Sequence, residues 1–560
     1  MAFNSINMVI GGEAGQGLVT IGQLLAKSLT RNGYFIGVTQ SYQSRVRGGH
    51  NTFSIRTGTE EILAPQETID LLIALDEQTI TLHRTELSPA GLMVVDSDWE
   101  VKGPACLQVP FKKLAVDKFS NIVALGVVGA LLGLPEEGFG SAIEDFFGHK
   151  DHSSIQENQK ALKIAYQWTQ GQALSFQKLP PVSNPARHLM INGNEAIALG
   201  ALSAGLKFFS FYPMSPSTSI GLALAAQAEA MGLIVEQAED EIAVVNMAIG
   251  ASFAGAPSMV ATSGGGFALM VEGVSLTGMT ETPLVIVVAQ RPAPATGLPT
   301  RTEQADLEFI LHAGHGEFPR AVFAPGNLEE CFHLIRKAFE QAQSFQTPIF
   351  LLTDQFLADA YRAVEPFDLK ALSWIHPGSD GSPLSRPYFR YALTEDGISP
   401  RLIPGMTENL VIADSDEHTE DGHLTEDLSV RKQMVEKRLK KMEALTLKVV
   451  PPQFMGDQKP DLLLVTWGST RGSALEAAAK LRLQGKRVGT LCFSQVWPMV
   501  PDQFIPFFKE AKEVMAVEGN ALGQFSRLIR RETGFQITKQ VLRYDGLPIT
   551  PEYILNHLGG

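Results

Sequence analysis

Residues 206–218, LKFFSFYPMSPST, join an apolar strand to a proline-marked turn, and they decide how the middle of this chain folds. A second strand, through Ile234 and Val235, runs into an acidic triplet that ends at Glu241 and then into a helix of small residues. In an open parallel sheet with helices between its strands, ligands bind beyond the carboxyl ends of the strands. The two strand ends therefore predict a site in which the hydroxyl of Ser215 lies near the carboxylate of Glu241.

The composition is that of a multidomain globular protein. The chain has 560 residues, of which 44% are hydrophobic and 19% are charged. At roughly 150 residues per domain, this length predicts three or four domains. The net charge of −14 argues against a nucleic-acid-binding protein, because such a protein needs a concentrated basic surface.

The three cysteines, Cys106, Cys331 and Cys492, lie far apart and form no C-x-x-C pair. This chain alone therefore offers no ligand set for an iron–sulfur cluster or a structural zinc, and we expect no metal site in it. Scarce cysteines, together with the lack of a charged-then-apolar leader, predict a cytoplasmic location. We expect no membrane span, because the longest apolar run, residues 122–134, is short and contains glycines.

Strands and helices alternate along the chain in three blocks. In the first block, a strand at 8–10 leads through a glycine-rich turn into a helix at 18–29, whose apolar residues recur at helical spacing. Blocks that begin near residues 190 and 461 repeat this alternation, and we therefore predict an α/β fold of three doubly wound domains. The predicted boundaries are 1–175 for the first domain, 188–370 for the second, 371–455 for an acidic insert with a connecting helix, and 456–560 for the third.

Three motifs of the middle block resemble those of one enzyme family. Residues 212–216, YPMSP, are similar to a Tyr-Pro-Ile-Thr-Pro motif, Glu241 precedes a Gly-Ala pair at the family's spacing, and residues 296–306, TGLPTRTEQAD, are similar to a substrate-arginine loop. Over nearly its whole length the chain resembles the alpha subunit of 2-oxoacid:ferredoxin oxidoreductases with a gamma domain fused to it. The resemblance implies a gamma domain, the pyrimidine-binding domain of thiamine-diphosphate enzymes, and a transketolase C-terminal-like domain.

The resemblance assigns thiamine diphosphate to the middle domain. It implies that the carboxylate of Glu241 hydrogen-bonds N1′ of the aminopyrimidine and so activates the cofactor. It implies further cofactor contacts from Tyr212, Pro213, Ser263 and Gly264. Taken without the resemblance, Glu241 is a charge that complements the N-terminus of a helix, and Ser263-Gly264 belongs to a tight turn.

The resemblance implies that Ser215 and Arg301 bind the substrate carboxylate. Ser215 stands where the family has threonine, so the hydroxyl is kept while its rotamer is less restricted. A guanidinium such as that of Arg301 can donate two parallel hydrogen bonds to a planar 2-oxo-carboxylate. Arg291 is the other candidate for this role. Without the resemblance, Ser215 belongs to a proline-containing turn, and both arginines are surface groups.

One half of a thiamine site has no counterpart in this sequence. The Gly-Asp-Gly motif with which the family holds the diphosphate and Mg²⁺ does not occur. The resemblance therefore implies a separate beta subunit that binds the diphosphate, Mg²⁺ and a [4Fe-4S] cluster. It implies an (αβ)₂ heterotetramer that passes electrons to ferredoxin, and we expect this chain alone to be inactive.

The glycine-rich turn of the first block predicts a phosphate-binding loop. Its spacing departs from Gly-x-Gly-x-x-Gly, and no acidic residue follows the second strand to hold a ribose. The segment resembles the family's gamma domain, which implies that it binds coenzyme A, and the alternative is a domain that only buttresses the assembly. The implied coenzyme A contacts are Gly12, Gly15, Gln16, Gly17, Ser44, Arg45 and Arg47.

We therefore expect thiamine-dependent oxidative decarboxylation of a 2-oxoacid, with 2-oxoglutarate, coenzyme A and ferredoxin as reactants and succinyl-CoA as product. The reverse reaction would fix CO₂, as in a reductive tricarboxylic acid cycle. Two alternatives stay open, namely a non-redox thiamine-dependent decarboxylase or ligase half, and a non-catalytic scaffold that binds coenzyme A. His418 and His423 in the acidic insert receive no assigned role.

Overall fold

The computed structural model describes most of the chain. The described residues are 5–42, 49–101, 106–115, 119–147, 152–174, 176–183, 185–375 and 387–558. The chain divides into two compact units. The first unit comprises Met1–Ile191, Ala360–Phe367 and Thr550–Asn556, and the second comprises Asn192–Asp359, Asp368–Ile549 and His557–Gly560.

The strands of the described residues follow one another along the chain as β1 (Ser5–Glu13), β2 (Phe35–Ser41), β3 (His50–Gly58), β4 (Ile69–Ala74), β5 (Leu87–Asp96), β6 (Cys106–Val109), β7 (Leu189–Ile191), β8 (Phe208–Phe211), β9 (Ile234–Gln237), β10 (Ser258–Thr262), β11 (Leu284–Gln290), β12 (Ala321–Phe323), β13 (Pro348–Asp354), β14 (Tyr361–Val364), β15 (Gln453–Gly456), β16 (Leu462–Trp467), β17 (Val488–Phe493), β18 (Gln495–Trp497), β19 (Glu513–Glu518) and β20 (Lys539–Leu542).

The α-helices of the same residues are α1 (Leu18–Arg31), α2 (Glu77–His83), α3 (Phe111–Leu114), α4 (Ser120–Leu132), α5 (Glu136–Phe147), α6 (His152–Gln170), α7 (Gly193–Ser203), α8 (Thr218–Ala225), α9 (Ala228–Met231), α10 (Glu241–Phe253), α11 (Gly264–Met279), α12 (Leu307–His312), α13 (Leu328–Phe345), α14 (Gln355–Asp359), α15 (Leu428–Thr446), α16 (Arg471–Leu483), α17 (Ile505–Glu510), α18 (Gln524–Thr533) and α19 (Pro551–His557).

The first unit is built on a mixed sheet of order β6-β5-β4-β1-β3-β2-β14-β7. The pairs from β6 to β1 are parallel, and the pairs from β1 to β7 are antiparallel. Helix α4 is apolar on all sides because it lies in the core, packed against α1 and α6. The apolar run at 122–134 is therefore a buried core helix.

The second unit contains a seven-stranded sheet of order β18-β12-β13-β11-β10-β8-β9, which is parallel except at β18. Strand β11, LVIVVAQ, is buried at every position, as is typical of a central parallel strand covered on both faces. Helices α10 and α11 pack closely at Gly273, which has no side chain. A Cβ at this position would lie 2.6 Å from Val245 Cγ1. The same unit contains a five-stranded sheet, β15-β17-β16-β19-β20, which is parallel except at β15.

These sheets confirm the predicted α/β class. The strand assignments differ from the predicted domain boundaries. Strands β7 and β14 join the sheet of the first unit although both fall within 188–370, and β18 joins the seven-stranded sheet although it falls within 456–560. None of the helices in the described part of the chain has the length and apolar content needed to cross a bilayer.

Helix α15, which follows the acidic insert, is anchored by a buried ionic cluster. Lys437 Nζ donates to Glu281 Oε1 at 2.7 Å, Lys441 pairs with the other carboxylate oxygen, and each of the three side chains is only 1% exposed. Burial alone raises the pKa of Glu281, but the charges of Lys441 and Lys437 outweigh it and hold this pKa well below its ordinary value. Helix α15 thus has buried charges that hold it in place, in addition to a solvated face.

Candidate active site

Glu241 is the first residue of α10, and its carboxyl group points into the protein. The helix begins here because the side chain of Asp240 accepts a hydrogen bond from the backbone N–H of Ala243 at 2.7 Å. Asp240 therefore caps the helix. Glu241 is only 2% exposed, which a charge that merely complements a helix terminus does not require.

The carboxyl of Glu241 is held at the end of β10, against the first turn of α11. The hydroxyl of Thr262 donates to Glu241 Oε1 at 3.3 Å. A Cβ at Gly266 would lie 2.0 Å from Glu241 Oε1, so only glycine leaves room for this carboxyl. Burial raises the pKa of Glu241, and the hydrogen bond from Thr262 acts in the opposite direction. The result is a buried carboxyl group that holds its proton to a higher pH than an exposed one does.

Ser263 and Gly264 lie beside this carboxyl, where β10 passes into α11. The side chain of Ser263 is fully buried, does not cap the helix, and its hydroxyl has no hydrogen-bond partner among the described residues. Leaving a buried hydroxyl unpaired costs about 1–3 kcal/mol. Such a group at a strand end is expected to be satisfied by a ligand.

The loop that carries Ser215 is tied to the end of β11 by an arginine. Arg291, the first residue after β11, donates from Nη1 to the carbonyl oxygen of Ser215 at 2.7 Å. Strand β10 lies between β11 and β8, so this hydrogen bond joins the segments that follow the two strands on either side of β10. Tyr212 packs against the core of the unit, whereas Pro213 and Ser215 are exposed.

Asp306 adds a second buried carboxyl group at the same turn. Its backbone N–H donates to Gln290 Oε1 at 2.9 Å, and its side chain does not cap α12, which begins at the next residue. The carboxyl lies instead against α11, because a Cβ at Gly264 would be 2.4 Å from Asp306 Oδ2. Burial raises the pKa of Asp306 to about 6, against the influence of Arg291. Burial and the charge of Asp306 raise the pKa of Glu303 to about 6 as well.

Arg301 is the arginine that the motif favours. Its backbone and the first part of its side chain lie against the loop that contains Gly546. A Cβ at Gly546 would lie 3.1 Å from Arg301 Cβ, and the N–H of Thr302 donates to the carbonyl of Gly546 at 3.2 Å. The hydroxyl of Thr302 donates to Asp354 Oδ1 at 3.2 Å and fixes this end of the loop. The structure thus brings Glu241, Ser263, Gly264, Ser215 and Arg291 together around the end of β10.

Sequence reasoning missed the contributions of Thr262, Gly266 and Asp306. Thr262 precedes and Gly266 follows the Ser263-Gly264 pair, for which a tight turn was the alternative interpretation. The available signal was the position of Gly266 in the first turn of a helix, where a glycine is costly unless something approaches it closely. Asp306 gave no such signal, because an aspartate before a short helix is ordinarily a cap.

The first unit has a separate cavity at its glycine turn. Gly15 and Gly17 adopt left-handed φ angles of 101° and 76°, and Gln16 accepts a hydrogen bond from the N–H of Glu13 at 3.0 Å. Residues not singled out from the sequence complete the lining, whereas three of the predicted contacts, Ser44, Arg45 and Arg47, lie outside the described residues. The lining includes Gly15, Gln16, Gly17, Asp96, Trp99, Phe111 and Asn121.

The two histidines of the acidic insert lie in different surroundings. His418 is buried, packs against Tyr391 with ring centroids 4.0 Å apart and ring planes tilted by 41°, and donates from Nδ1 to the carbonyl of Asp416 at 3.0 Å. His423 is exposed and pairs with Asp421 at 3.1 Å. Within the described residues, no cluster of three metal-binding side chains includes either of them.

Two protein-family models match the chain. The model described as "Pyruvate flavodoxin/ferredoxin oxidoreductase, thiamine diP-bdg" matches residues 199–437, and the model described as "Pyruvate ferredoxin/flavodoxin oxidoreductase" matches residues 7–168. The first match includes the site around Glu241, and the second includes the cavity beside Gly15.

Named relatives match nearly the whole chain. The 2-oxoacid:ferredoxin oxidoreductase subunit alpha of a Sulfolobus species is 31% identical over 97% of this chain and 95% of its own. A 2-oxoglutarate oxidoreductase subunit of Mycobacterium tuberculosis is 27% identical over 94% of this chain and 87% of its own. The solved 2-oxoglutarate:ferredoxin oxidoreductase of Magnetococcus marinus, which contains 2-oxoglutarate, coenzyme A and succinyl-CoA, is 30% identical, with a TM-score of 0.93 over 99% of both chains. The chain therefore belongs to the 2-oxoacid:ferredoxin oxidoreductase family, as an alpha-type subunit of an oxidoreductase that acts on 2-oxoacids.

Proposed function

We propose that this chain is the fused gamma–alpha subunit of an enzyme that oxidatively decarboxylates 2-oxoglutarate to succinyl-CoA and passes the electrons to ferredoxin. The observation that carries the proposal is the buried carboxyl of Glu241, which has a raised pKa and faces a glycine turn at the end of β10. The choice of substrate is supported by the Magnetococcus marinus relative, which has 2-oxoglutarate, coenzyme A and succinyl-CoA bound.

The residues around Glu241 fit the aminopyrimidine half of thiamine diphosphate. Ser263 offers a buried hydroxyl that has no partner among the described residues. Gly264 and Gly266 carry no side chain, so the carboxyl groups of Asp306 and Glu241 lie directly against their turn. When bound, thiamine diphosphate supplies the nucleophile and the electron sink that decarboxylation of a 2-oxoacid requires.

Each residue of the site has a distinct task in this proposal. Glu241 would share a proton with the ring nitrogen N1′ of the bound cofactor, and its burial keeps water away from the carboxyl group. Ser263 and Gly264 would hold the ring from the side of α11, and Tyr212 and Pro213 would hold it from the carboxyl end of the neighbouring strand β8. We assign Ser215 and Arg301 to the carboxylate of the 2-oxoacid, on the strength of their motifs.

A partner chain completes the site. Gly-Asp-Gly is missing from this sequence, and the three cysteines are far apart, so the proposed beta subunit supplies the diphosphate site, Mg²⁺ and the [4Fe-4S] cluster. Side chains of α10 and α11 that such a partner would cover are apolar and exposed, among them Ile242, Met247 and Leu269. We propose an (αβ)₂ heterotetramer in the cytoplasm, a location supported by three free cysteines.

The cavity of the first unit is the proposed coenzyme A site. Its glycine turn, with Gly15 and Gly17 at the start of α1, presents backbone groups of the kind that bind phosphate. Trp99 offers an aromatic surface for an adenine ring, and Asn121 offers an amide. We keep Gly12, Ser44, Arg45 and Arg47 as proposed contacts on the basis of the sequence.

The proposal is tested with the complex that forms when this chain is co-expressed with its partner. We expect reduction of a viologen dye that depends on both 2-oxoglutarate and coenzyme A, together with formation of succinyl-CoA. Decarboxylation without dye reduction would favour a non-redox decarboxylase or ligase. Coenzyme A binding without turnover of any 2-oxoacid would favour a scaffold.

A further inference from the structure

A segment that follows β11 lies on the strand ends of the five-stranded sheet. Strands β16 and β19 are parallel neighbours in that sheet, and their carboxyl ends lie at Trp467 and Glu518. In open α/β sheets, this edge is where ligands bind. Here it holds part of the same chain, namely residues 301–308, which we call the Arg301 loop.

Gln304 joins the Arg301 loop to both strand ends. Its backbone N–H donates to the carbonyl oxygen of Gly519 at 2.6 Å, and its side-chain Oε1 accepts from the N–H of the same glycine at 2.8 Å. Its Nε2 donates to the carbonyl oxygen of Trp467 at 3.0 Å. The residue is only 2% exposed, and a Cβ at Gly468 would lie 2.9 Å from Nε2. Gln304 is thus closely packed and paired with main-chain groups of two neighbouring strand ends.

A second glutamine holds the other end of the loop. Gln524, the first residue of α18, donates from Nε2 to the carbonyl oxygen of Ala305 at 2.6 Å and accepts through Oε1 from the N–H of Glu308 at 3.0 Å. That N–H lies in the first turn of α12, where backbone donors have no partner within the helix. Asp306 does not cap α12, so Gln524 supplies the partner from another helix. Helix α18 is itself fixed at its start, because the buried carboxylate of Glu518 accepts from two N–H groups of its first turn at 2.8 and 2.9 Å.

The loop that these glutamines hold also reaches the site around Glu241. A Cβ at Gly264 would lie 2.4 Å from Asp306 Oδ2, so the loop touches the glycine turn of α11. Arg301 lies shortly before Gln304 in the same loop. Loops are ordinarily more mobile than the strands and helices that carry them, and a binding group on a loop needs a rigid scaffold to position it. The anchors on the five-stranded sheet therefore decide where the loop lies.

We propose that Gln304 and Gln524 are positioning residues, which hold the Arg301 loop on the five-stranded sheet and thereby set the place of the substrate-binding guanidinium. This inference rests on the proposed function, which assigns Arg301 to a carboxylate of the 2-oxoacid. Both glutamines act through the loop. Loss of either lets the loop shift, whereas Glu241 keeps its own contacts with Thr262 and Gly266.

The test measures KM and kcat of the assembled enzyme by coenzyme A-dependent dye reduction. Gln304→Ala and Gln524→Ala are each expected to raise the KM for 2-oxoglutarate by about 10-fold, because the net effect of one or two lost hydrogen bonds is of that order. The value of kcat is expected to change by less than about 2-fold, since the loop contributes to binding. The KM for coenzyme A and the affinity for thiamine diphosphate are expected to stay the same.

Two further variants separate positioning from packing and from general stability. Gln304→Met keeps the length of the side chain but neither of its hydrogen bonds, so it should raise KM as Gln304→Ala does. Gln346→Ala is the matched control, because Gln346 is 5% exposed in the same unit and its Nε2 donates to the carbonyl oxygen of Ser399 at 2.7 Å. It should lower thermal stability to a similar degree and leave KM unchanged.

A double-mutant cycle tests whether Gln304 acts through the arginine. In the Arg301→Gln enzyme, adding Gln304→Ala should change the KM for 2-oxoglutarate by less than about 2-fold, because the guanidinium that it positions is already gone. A residue that only stabilised the fold would have the same effect in both backgrounds.

A wild-type KM in both Gln304→Ala and Gln524→Ala would overturn the inference, as would a wild-type KM in Gln304→Met or an additive effect of Gln304→Ala and Arg301→Gln. A wild-type complex that reduces no dye with any 2-oxoacid would overturn the proposed function, and an unchanged KM in Arg301→Gln would overturn the role assigned to that arginine; the inference would fall with either. It fails alone when Arg301→Gln raises KM and the glutamine variants do not, so the failures are distinguishable.

Discussion

Replacing Gly266 by alanine is expected to displace the carboxyl of Glu241 and to remove most of the activity. A Cβ at this position would lie 2.0 Å from Glu241 Oε1 and 2.2 Å from Thr262 Oγ1, and Cβ atoms essentially never approach other atoms within 3.0 Å. The carboxylate oxygen must therefore retreat by about 1 Å. A misplacement of this size costs on the order of 10²-fold in rate, or about 2.7 kcal/mol of transition-state stabilisation.

The neighbouring glycine provides a matched control. A Cβ at Gly265 would meet only the carbonyl oxygen of Ala295, at an ordinary 3.8 Å. Both glycines lie in the first turn of α11, where alanine gains up to about 1 kcal/mol of helix propensity. The atoms that Gly266→Ala displaces belong to the side chains of Glu241 and Thr262 and not to the backbone, so we expect both variants to fold.

The assay compares initial rates of coenzyme A-dependent dye reduction by complexes assembled with each variant, alongside their thermal unfolding. We expect Gly266→Ala to lose about 100-fold in rate and Gly265→Ala to stay close to the wild type. Near-normal turnover by Gly266→Ala would refute the reasoning. Equal losses in the two variants would also refute it, because they would reflect a general intolerance of α11 to side chains.

Three further predictions follow from other buried groups. Ser263→Ala should weaken thiamine diphosphate binding to the assembled enzyme by about 2- to 10-fold without lowering the stability of the free chain, because it deletes a hydroxyl that has no partner among the described residues; calorimetric titration showing wild-type affinity would contradict this. Glu281→Gln should lower the free energy of unfolding in urea by about 3–5 kcal/mol, because it leaves two lysines buried without their counter-charge, whereas Lys512→Ala, at an exposed ion pair, should lower it by less than about 1 kcal/mol. For Asp306, whose folded-state pKa is raised from 3.8 to about 6, ionisation is disfavoured by folding, so its contribution to stability falls as the pH rises through that interval. The stability advantage of Asp306→Asn over the wild type should therefore grow from about pH 4 to pH 7, towards roughly 3 kcal/mol, and an advantage that does not change with pH would show that Asp306 titrates normally.

The local sequence around Glu241 was enough to place the start of its helix and its strand end. Asp240 and Glu241 follow an apolar strand and precede a run of small residues, and α10 begins at Glu241 as that pattern predicts. The order of the strands is what brings the Ser215 loop close, because β8 and β10 are neighbours in a parallel sheet. Parallel sheets of this class place their ligands at such strand ends.

Other features depend on contacts that are distant in sequence. Strand β14 pairs with β2, more than 300 residues earlier, and consists of four residues without an alternating pattern of its own. Such short strands are defined by their partners, so sequence periodicity gave no reason to take β7 and β14 out of the middle domain.

The sequence alone also could not show which of two arginines, Arg291 or Arg301, reaches the Ser215 loop. Arg291 and Arg301 stand at the two ends of one loop, and the fold of that loop decides which guanidinium reaches Ser215. The motif pointed to Arg301, whereas the structure adds Arg291 through a hydrogen bond to a backbone carbonyl. A bond of this kind leaves no trace in the residue types, because every residue has a carbonyl.

The central claim is that the carboxyl of Glu241 activates the cofactor at a site that this chain shares with a partner. The most direct measurement is the rate of 2-oxoglutarate- and coenzyme A-dependent dye reduction by the assembled complex that carries Glu241→Gln, a variant of nearly the same size and shape. The account predicts a loss of at least about 100-fold, with assembly and thermal unfolding unchanged. Turnover close to that of the wild type would contradict it.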